Sequence, residues 1–264
     1  MSAMRQKSIE PSETHSRILA IGLLLLLVGG WEIYCRVSGV SELVIPAPSA
    51  IAVTLCQSLA SGYLWPHIWI TSAEMTLGLL LGCSVGFVCG VVLAEFNWLR
   101  RLIWPYILAS QVVPKLALGP LFIVWFGFGM TSTVVITALI CFFPLMENTL
   151  TGVHHIDPMK RELFRMLGAT RMQTLIRLKI PSGLPVIMAG VRVAVVLALV
   201  GAVVGEFIGG RAGLGATIIA AQGMMDSTLM FALFFVITAL GMIFYQAAVW
   251  AERKLLIRHT RGLH

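Results

Sequence analysis

Six stretches of this chain are apolar for long enough to cross a lipid bilayer, and that constrains its fold before any motif is read. A helix needs about 20 apolar residues to traverse roughly 30 Å of hydrocarbon. The runs fall at about 18–34, 68–94, 102–126, 133–150, 186–207 and 229–250. In lipid, every backbone N–H and C=O must be satisfied within the protein, so such runs are read as helices. Composition agrees: 58% of the 264 residues are hydrophobic and 12% are charged, about half the charged share of a soluble domain. The expected class is all-α: a polytopic membrane helical bundle of about six transmembrane helices in one compact domain.

Charge orients the bundle. A formal charge of +7 would suit nucleic acid in a soluble protein. In a membrane protein it reflects basic residues gathered at the cytoplasmic ends of helices, so no nucleic-acid partner is expected. Arg5, Lys7, Arg17, Arg100, Arg101, Arg253, Lys254, Arg258 and Arg261 fall on one side, with the basic interruption at 157–185. Only Arg36 and Arg211 fall on the other. Both termini are therefore expected in the cytoplasm. The layout is a tail at 1–16, a membrane domain at 17–251 that includes a loop at 154–185, and a tail at 252–264. The polar start is not read as a signal peptide, because the run after Arg17 is of spanning length and no small-residue cleavage site follows.

Along the chain, Trp31 and Tyr34 stand where interfacial aromatics would. Pro46 and Pro48 lead into a short amphipathic helix capped by Ser49. In the second run Gly78, Gly82, Gly86 and Gly90 recur every fourth residue. That places them on one face, where small residues let another helix approach closely. A cytoplasmic turn is expected at 97–101. Pro105, Pro114 and Pro120 break the third run, freeing carbonyls that must line protein or water. Lys115 sits in that break. It either snorkels or pairs structurally, or it borders a polar pathway. In the fifth run Ala194, Ala198 and Ala202 suggest a second close-packed face, and a glycine-rich outer loop follows at 206–218.

Glu74, Glu206 and Asp226 are further pathway or gate candidates. Glu74 lies inside an apolar run, where a carboxylate asks for a reason. For Glu206 and Asp226, solvation at a helix end is the simpler reading. The five cysteines lack metal spacing, and no metal site is expected. Cys35 and Cys56 are the pair to consider for a disulfide.

The interruption at 157–185 carries Lys160, Arg161, Arg165, Arg171, Arg177 and Lys179. Asp157 followed by Pro158 is a helix start, with an oxygen acceptor at the cap and proline at the first position. Gly168 can end that helix in the left-handed conformation. Thr170 and Gln173 form a capping box for a second short helix, which Pro181 is expected to stop. Met159, Leu163, Met166 and Leu167 share the apolar face of the first. Cations alone would suit lipid headgroups. The apolar face asks in addition for packing on the bundle or for a soluble partner.

This segment resembles the coupling-loop signature of bacterial ABC importer permeases, in which Glu-Ala-Ala is followed at fixed distance by Gly and then by an apolar-x-apolar-Pro ending. Glu162 stands for the Glu, Gly168 for the Gly, and Leu178, Lys179, Ile180 and Pro181 for the ending. Leu163 and Phe164 replace the two alanines. The likeness runs from about 47 to 256 and is nearest to the nitrate, sulfonate, taurine and pyrimidine-precursor group. PAPS at 46–49, VPKLALGPLFIVWFGFG at 113–129, FFPLMENTLTGV at 142–153 and GEFIGGRAGLG at 205–215 carry it.

The resemblance implies a type I ABC importer permease fold in the bacterial inner membrane. Two copies, expected to be a homodimer, would enclose a pathway for a small organic or inorganic solute. Each would dock its loop, through Glu162, Leu163, Phe164, Gly168, Ile180 and Pro181, on a cytoplasmic ABC ATPase dimer. A binding protein would deliver solute from outside. ATP and Mg would sit in the ATPase and no cofactor on this chain, which lacks a GxxxxGKS/T phosphate loop. No HExxH or GxSxG is present, no catalytic residue is nominated, and a transport subunit rather than an enzyme is expected. The rival reading is a self-sufficient secondary transporter with Lys115 and Glu74 as ion or substrate sites. Against it stand the absence of a visible inverted repeat and the loop itself.

Overall fold

In the computed structural model of the chain, residues 13–261 are described, without the side chains of 13–18, 20 and 258–261. The placement expected of Arg5 and Lys7 lies outside the described residues, as do the side chains of Arg17, Arg258 and Arg261.

The regular elements are helical. They begin with α1 (Glu13–Val37), α2 (Pro48–Ala60), α3 (Leu64–Glu95), α4 (Asn97–Val112) and α5 (Gly119–Phe126). After α6 (Met130–His154) come α7 (Pro158–Met166) and α8 (Arg171–Thr174), then α9 (Ile180–Gly209), α10 (Leu214–Gly223) and α11 (Ser227–Arg261). Among the described residues four helices are long and apolar enough to cross a membrane: α3, α6, the continuous 39-residue Arg171–Gly209, and Ser227–Ile257 of α11. α4 and the segment Lys115–Phe126 pass the same test only as a pair, bent by 82° at their break, which is the geometry of a broken span or of a re-entrant loop. The first predicted run lies in α1, which is 25 residues long.

α6 is the central helix, and glycine sets how close its neighbours come. A Cβ added to Gly78 would stand 2.5 Å from Thr137 Cβ, and one on Gly86 or Gly90 would stand 2.6 Å from the carbonyl oxygen of Phe142 or Met146. Gly82 faces the Ala138 backbone in the same way. The stripe therefore lays α3 against α6 almost backbone to backbone. α9 covers another face of α6: a Cβ on Gly183 would meet the Gly152 carbonyl oxygen at 2.5 Å, and one on Gly201 the Thr137 Cα at 2.9 Å. In lipid there is no hydrophobic drive between helices, so such close van der Waals packing holds the bundle together. Ala194, Ala198 and Ala202 are buried against Met75 of α3 and Cys141 of α6.

Several local expectations are corrected. Residues 97–101 are the first turns of α4; the break is confined to Phe96, whose φ/ψ of −110/88° is not helical. Ser49 does not cap α2, which starts at Pro48 after Ala47 without a side-chain cap. Instead the Ser49 amide and hydroxyl donate to the Glu32 carboxylate of α1, at 3.0 and 2.8 Å. An ionised acceptor makes a stronger bond than a hydroxyl, and the fold supplies one from another helix. Pro181 does not stop a helix. It lies in the first turn of α9, directly after a π-helical turn, Leu175–Lys179. A wider turn gives room for a ring that would clash with the carbonyl one α-turn back. The expected outer loop at 206–218 is helical except at 210–213. Cys35 and Cys56 are free thiols.

Candidate functional site

At one end of the bundle the basic segment forms a bent, capped pair of helices. Asp157 Oδ1 accepts the Met159 amide at 2.9 Å, and Pro158 follows it. Gly168 takes φ +70°, turning the chain sharply after α7. Thr170 and Gln173 form the reciprocal capping box, at 2.8 and 3.2 Å. These three features were legible because each depends on residues a few positions apart.

The apolar face of α7 is uncovered. Met159 is 81% exposed, Met166 79%, Leu167 73% and Leu163 54%. Glu162 is exposed, 3.9 Å from Arg165, while Phe164 is half-buried. The root of the segment is anchored instead. Leu178 is buried, Ile180 packs on the core of α3, α4 and α6, and Pro181 is half-buried beside it. Lys179 Nζ donates to Glu95 Oε1 at 2.5 Å. A groove of about 730 Å³ separates segment from bundle and is lined by Glu95, Arg161, Glu162, Arg165, Arg171 and Lys179 among others. Because α8 continues through the π turn into α9, a push on the segment acts directly on a spanning helix.

A second feature is the seam between α4 and α6. Lys115 lies in the 3₁₀ turn after the break, and its Nζ sits 4.0 Å above the Phe143 ring. No carboxylate forms an ion pair with it among the described residues. It borders a pocket of about 490 Å³ with Gln111, Glu147, Asn148 and Val200. Toward the loop end, a second pocket of about 480 Å³ collects Arg100, Arg101, Trp104, Leu150, His154 and His155. The α6 residues 143, 147, 151 and 154 recur at three or four positions, so both pockets open on one face of that helix. The sequence reading missed this convergence. The Arg100–Arg101 and His154–His155 doublets were its only signal.

Toward the opposite end, Glu74 and Glu206 come together, each almost fully buried at 2% and 1% exposure. Helix-end solvation therefore fails for Glu206. Its carboxylate accepts the Thr71 hydroxyl at 2.6 Å and the Gly215 amide at 2.5 Å. Asp226 stays apart from them: it is exposed and its Oδ1 caps α11 by accepting the Leu229 amide at 2.9 Å. Arg192, unassigned from sequence, pairs with Glu252 of α11 at 3.3 Å. Among the described residues no group of three His, Cys, Asp or Glu side chains converges as a metal site would.

Known proteins resemble this chain in sequence and in fold. The sequence pattern of the family described as "Binding-protein-dependent transport system inner membrane component" matches residues 82–257. The riboflavin transport system permease protein RibX of Chloroflexus aurantiacus is 37% identical over 252 residues, covering 96% of this chain and 94% of that protein. The formylaminopyrimidine transport permease protein ThiX of Halalkalibacterium halodurans is 34% identical, covering 88% and 92%. The taurine transport system permease protein TauC of Escherichia coli is 26% identical, covering 91% and 90%. Among solved structures, an inward-facing form of the MetNI methionine ABC transporter superposes with a TM-score of 0.65 at 20% identity, over 73% of this chain and 95% of that one. That likeness is one of fold. With the pattern covering most of the chain and relatives above 30% identity along nearly its whole length, the protein belongs to the binding-protein-dependent inner membrane components, the multi-pass permease subunits of ABC transporters.

Proposed function

We propose that this chain works as one of two identical copies that enclose a solute pathway, driven by a separate cytoplasmic ATPase dimer that binds ATP and Mg. The loop end and both termini face the cytoplasm, and a binding protein delivers solute at the opposite end. The observation that carries this reading is the uncovered face of α7, Met159, Leu163, Met166 and Leu167, on a helix whose ends are capped and whose root is pinned by Lys179 and Glu95. Apolar side chains held rigidly in the open form a docking surface, and rigidity lets a moving partner use the segment as a lever. Glu162, Leu163, Phe164 and Gly168 shape the docked part; Ile180 and Pro181 join it to α9. Nucleotide and solute then bias two global states of the bundle.

The pathway runs along the α4–α6 seam past Lys115. The ammonium above Phe143, with Gln111, Glu147 and Asn148 nearby, suits a small polar or heteroaromatic solute. Relatives named for riboflavin, formylaminopyrimidine and taurine transport lie in that range.

Reconstitution tests the reading. Proteoliposomes holding the permease and its ATPase, given ATP and the binding protein, are expected to accumulate solute, and those without the ATPase are not. Uptake by the permease alone under an ion gradient would instead make it a secondary transporter.

A further inference from the structure

Three consecutive backbone amides of the turn into α10 are held by side chains. Gly213 N–H donates to His67 Nδ1 at 3.1 Å, Leu214 N–H to Thr71 Oγ1 at 2.8 Å, and Gly215 N–H to Glu206 Oε2 at 2.5 Å. His67, Thr71 and Glu74 lie at i, i+4 and i+7 on α3, so one helix face meets the turn. Gly213 has φ +113°, and a Cβ there would strike the Glu206 carboxyl. Glu206 thus sits where glycine backbone leaves space, at the positive end of α10.

The two carboxyls in this cluster have unequal partners. Glu206 receives the Thr71 hydroxyl on one oxygen and the Gly215 amide on the other. With a donor on each oxygen, Glu206 is the better acceptor of the two. Among the described residues the buried Glu74 Oε2 has no hydrogen-bond partner. The Glu74 carboxyl lies beside that of Glu206, and a buried carboxyl oxygen left without a donor next to a carboxylate asks for a proton. His67 faces the turn as an acceptor through Nδ1. Among the described residues no lysine or arginine forms an ion pair with either acid, so no cation offsets a second negative charge. Two carboxylates this buried and this close cannot both ionise at ordinary cost.

We propose that Glu74 carries a proton and donates it to the ionised Glu206, and that this shared-proton pair clamps the turn at 210–213 and the start of α10 onto α3 and α9. Glu74 and Glu206 are positioning residues, and the assignment holds whichever solute is moved and whichever partner drives transport.

The test uses the purified full-length permease and needs no solute. Glu74→Gln preserves a neutral donor toward Glu206 and is expected to melt like the wild type. Glu74→Ala removes the donor, and Glu206→Gln puts an NH2 group where one of the two carboxylate oxygens accepted; each is expected to lower the melting temperature by about 5–10 °C, as loss of a hydrogen bond to a charged group implies. If Glu206→Gln does not fold, Thr71→Val takes its place, with an expected drop of about 5–10 °C, because its hydroxyl both donates to Glu206 and accepts the Leu214 amide. Infrared spectroscopy reads the proton itself. The wild type is expected to show the carbonyl band of a protonated carboxylic acid at neutral pH, and Glu74→Gln to lack it. An unchanged acid band in Glu74→Gln, or a melting temperature as low as that of Glu74→Ala, would overturn the assignment.

Discussion

Lys179 and Glu95 form a 2.5 Å ion pair between the last residue before α9 and the last residue of α3. Both side chains are more than four-fifths buried. The pair joins the root of the basic segment to α3, the spanning helix that packs on both α6 and α9. Lys179→Met would leave Glu95 as an uncompensated buried charge, which costs about 3 kcal/mol. The expected outcome is a lower melting temperature, partly recovered by the exchanged pair Glu95→Lys with Lys179→Glu. A single variant as stable as the wild type would show that the pair holds nothing.

The glycine stripe makes a steeper prediction. Gly86→Leu adds a side chain whose Cβ alone meets the Phe142 carbonyl oxygen at 2.6 Å. Backbone cannot yield as a flexible side chain can, so a loss of about 3 kcal/mol or more is expected, at or above the upper range for overpacking. Gly22→Leu in α1, where nothing lies within 4 Å, is the control and is expected to leave folded yield unchanged. Yield and melting temperature of the two variants, measured side by side, decide it.

Gly168 separates the segment's shape from the stability of the bundle. Its φ of +70° strains any residue with a Cβ, yet nothing lies within 4 Å of it. Gly168→Ala costs about 1–2 kcal/mol locally, and Gly168→Pro forbids the conformation because the ring holds φ near −65°. The permease core is expected to melt as before, while co-purification with the ATPase falls. Glu162→Lys, exposed and outside the core, is expected to weaken co-purification with no change in melting.

Lys115 touches an aromatic ring rather than a carboxylate. Removing it strands no buried counter-charge, and the lost cation–π contact is worth about 1 kcal/mol. Lys115→Met is therefore expected to fold normally while uptake of the transported solute drops. A strong fall in melting temperature with unchanged uptake would make the lysine structural.

The fold was legible in the sequence where the causes are local. Long apolar runs lead to spanning helices because lipid leaves the backbone no other way to satisfy its polar groups. The helix start at Asp157, the bend at Gly168 and the Thr170–Gln173 box were legible for the same reason: each partner lies within a few residues. The stripe from Gly78 to Gly90 announced a close neighbour but did not name it.

What only the tertiary structure decided is which group each side chain meets once helices lie side by side. α6 became the stripe's neighbour. Ser49 gave up its capping role because Glu32 arrives from α1 with a charged acceptor. Pro181 passed into a continuous helix because a π turn precedes it. Glu206 left the solvated helix end expected of it for a buried cluster with Glu74 and Thr71. Residues 71 and 206 are 135 positions apart, and no local pattern records such a pairing. Backbone hydrogen bonding and helix periodicity act over a few residues, so the sequence alone determined the helices, the bent loop and the face that seeks a partner. Buried charges and close-packed surfaces are satisfied only across helices, so their partners were decided by the packing.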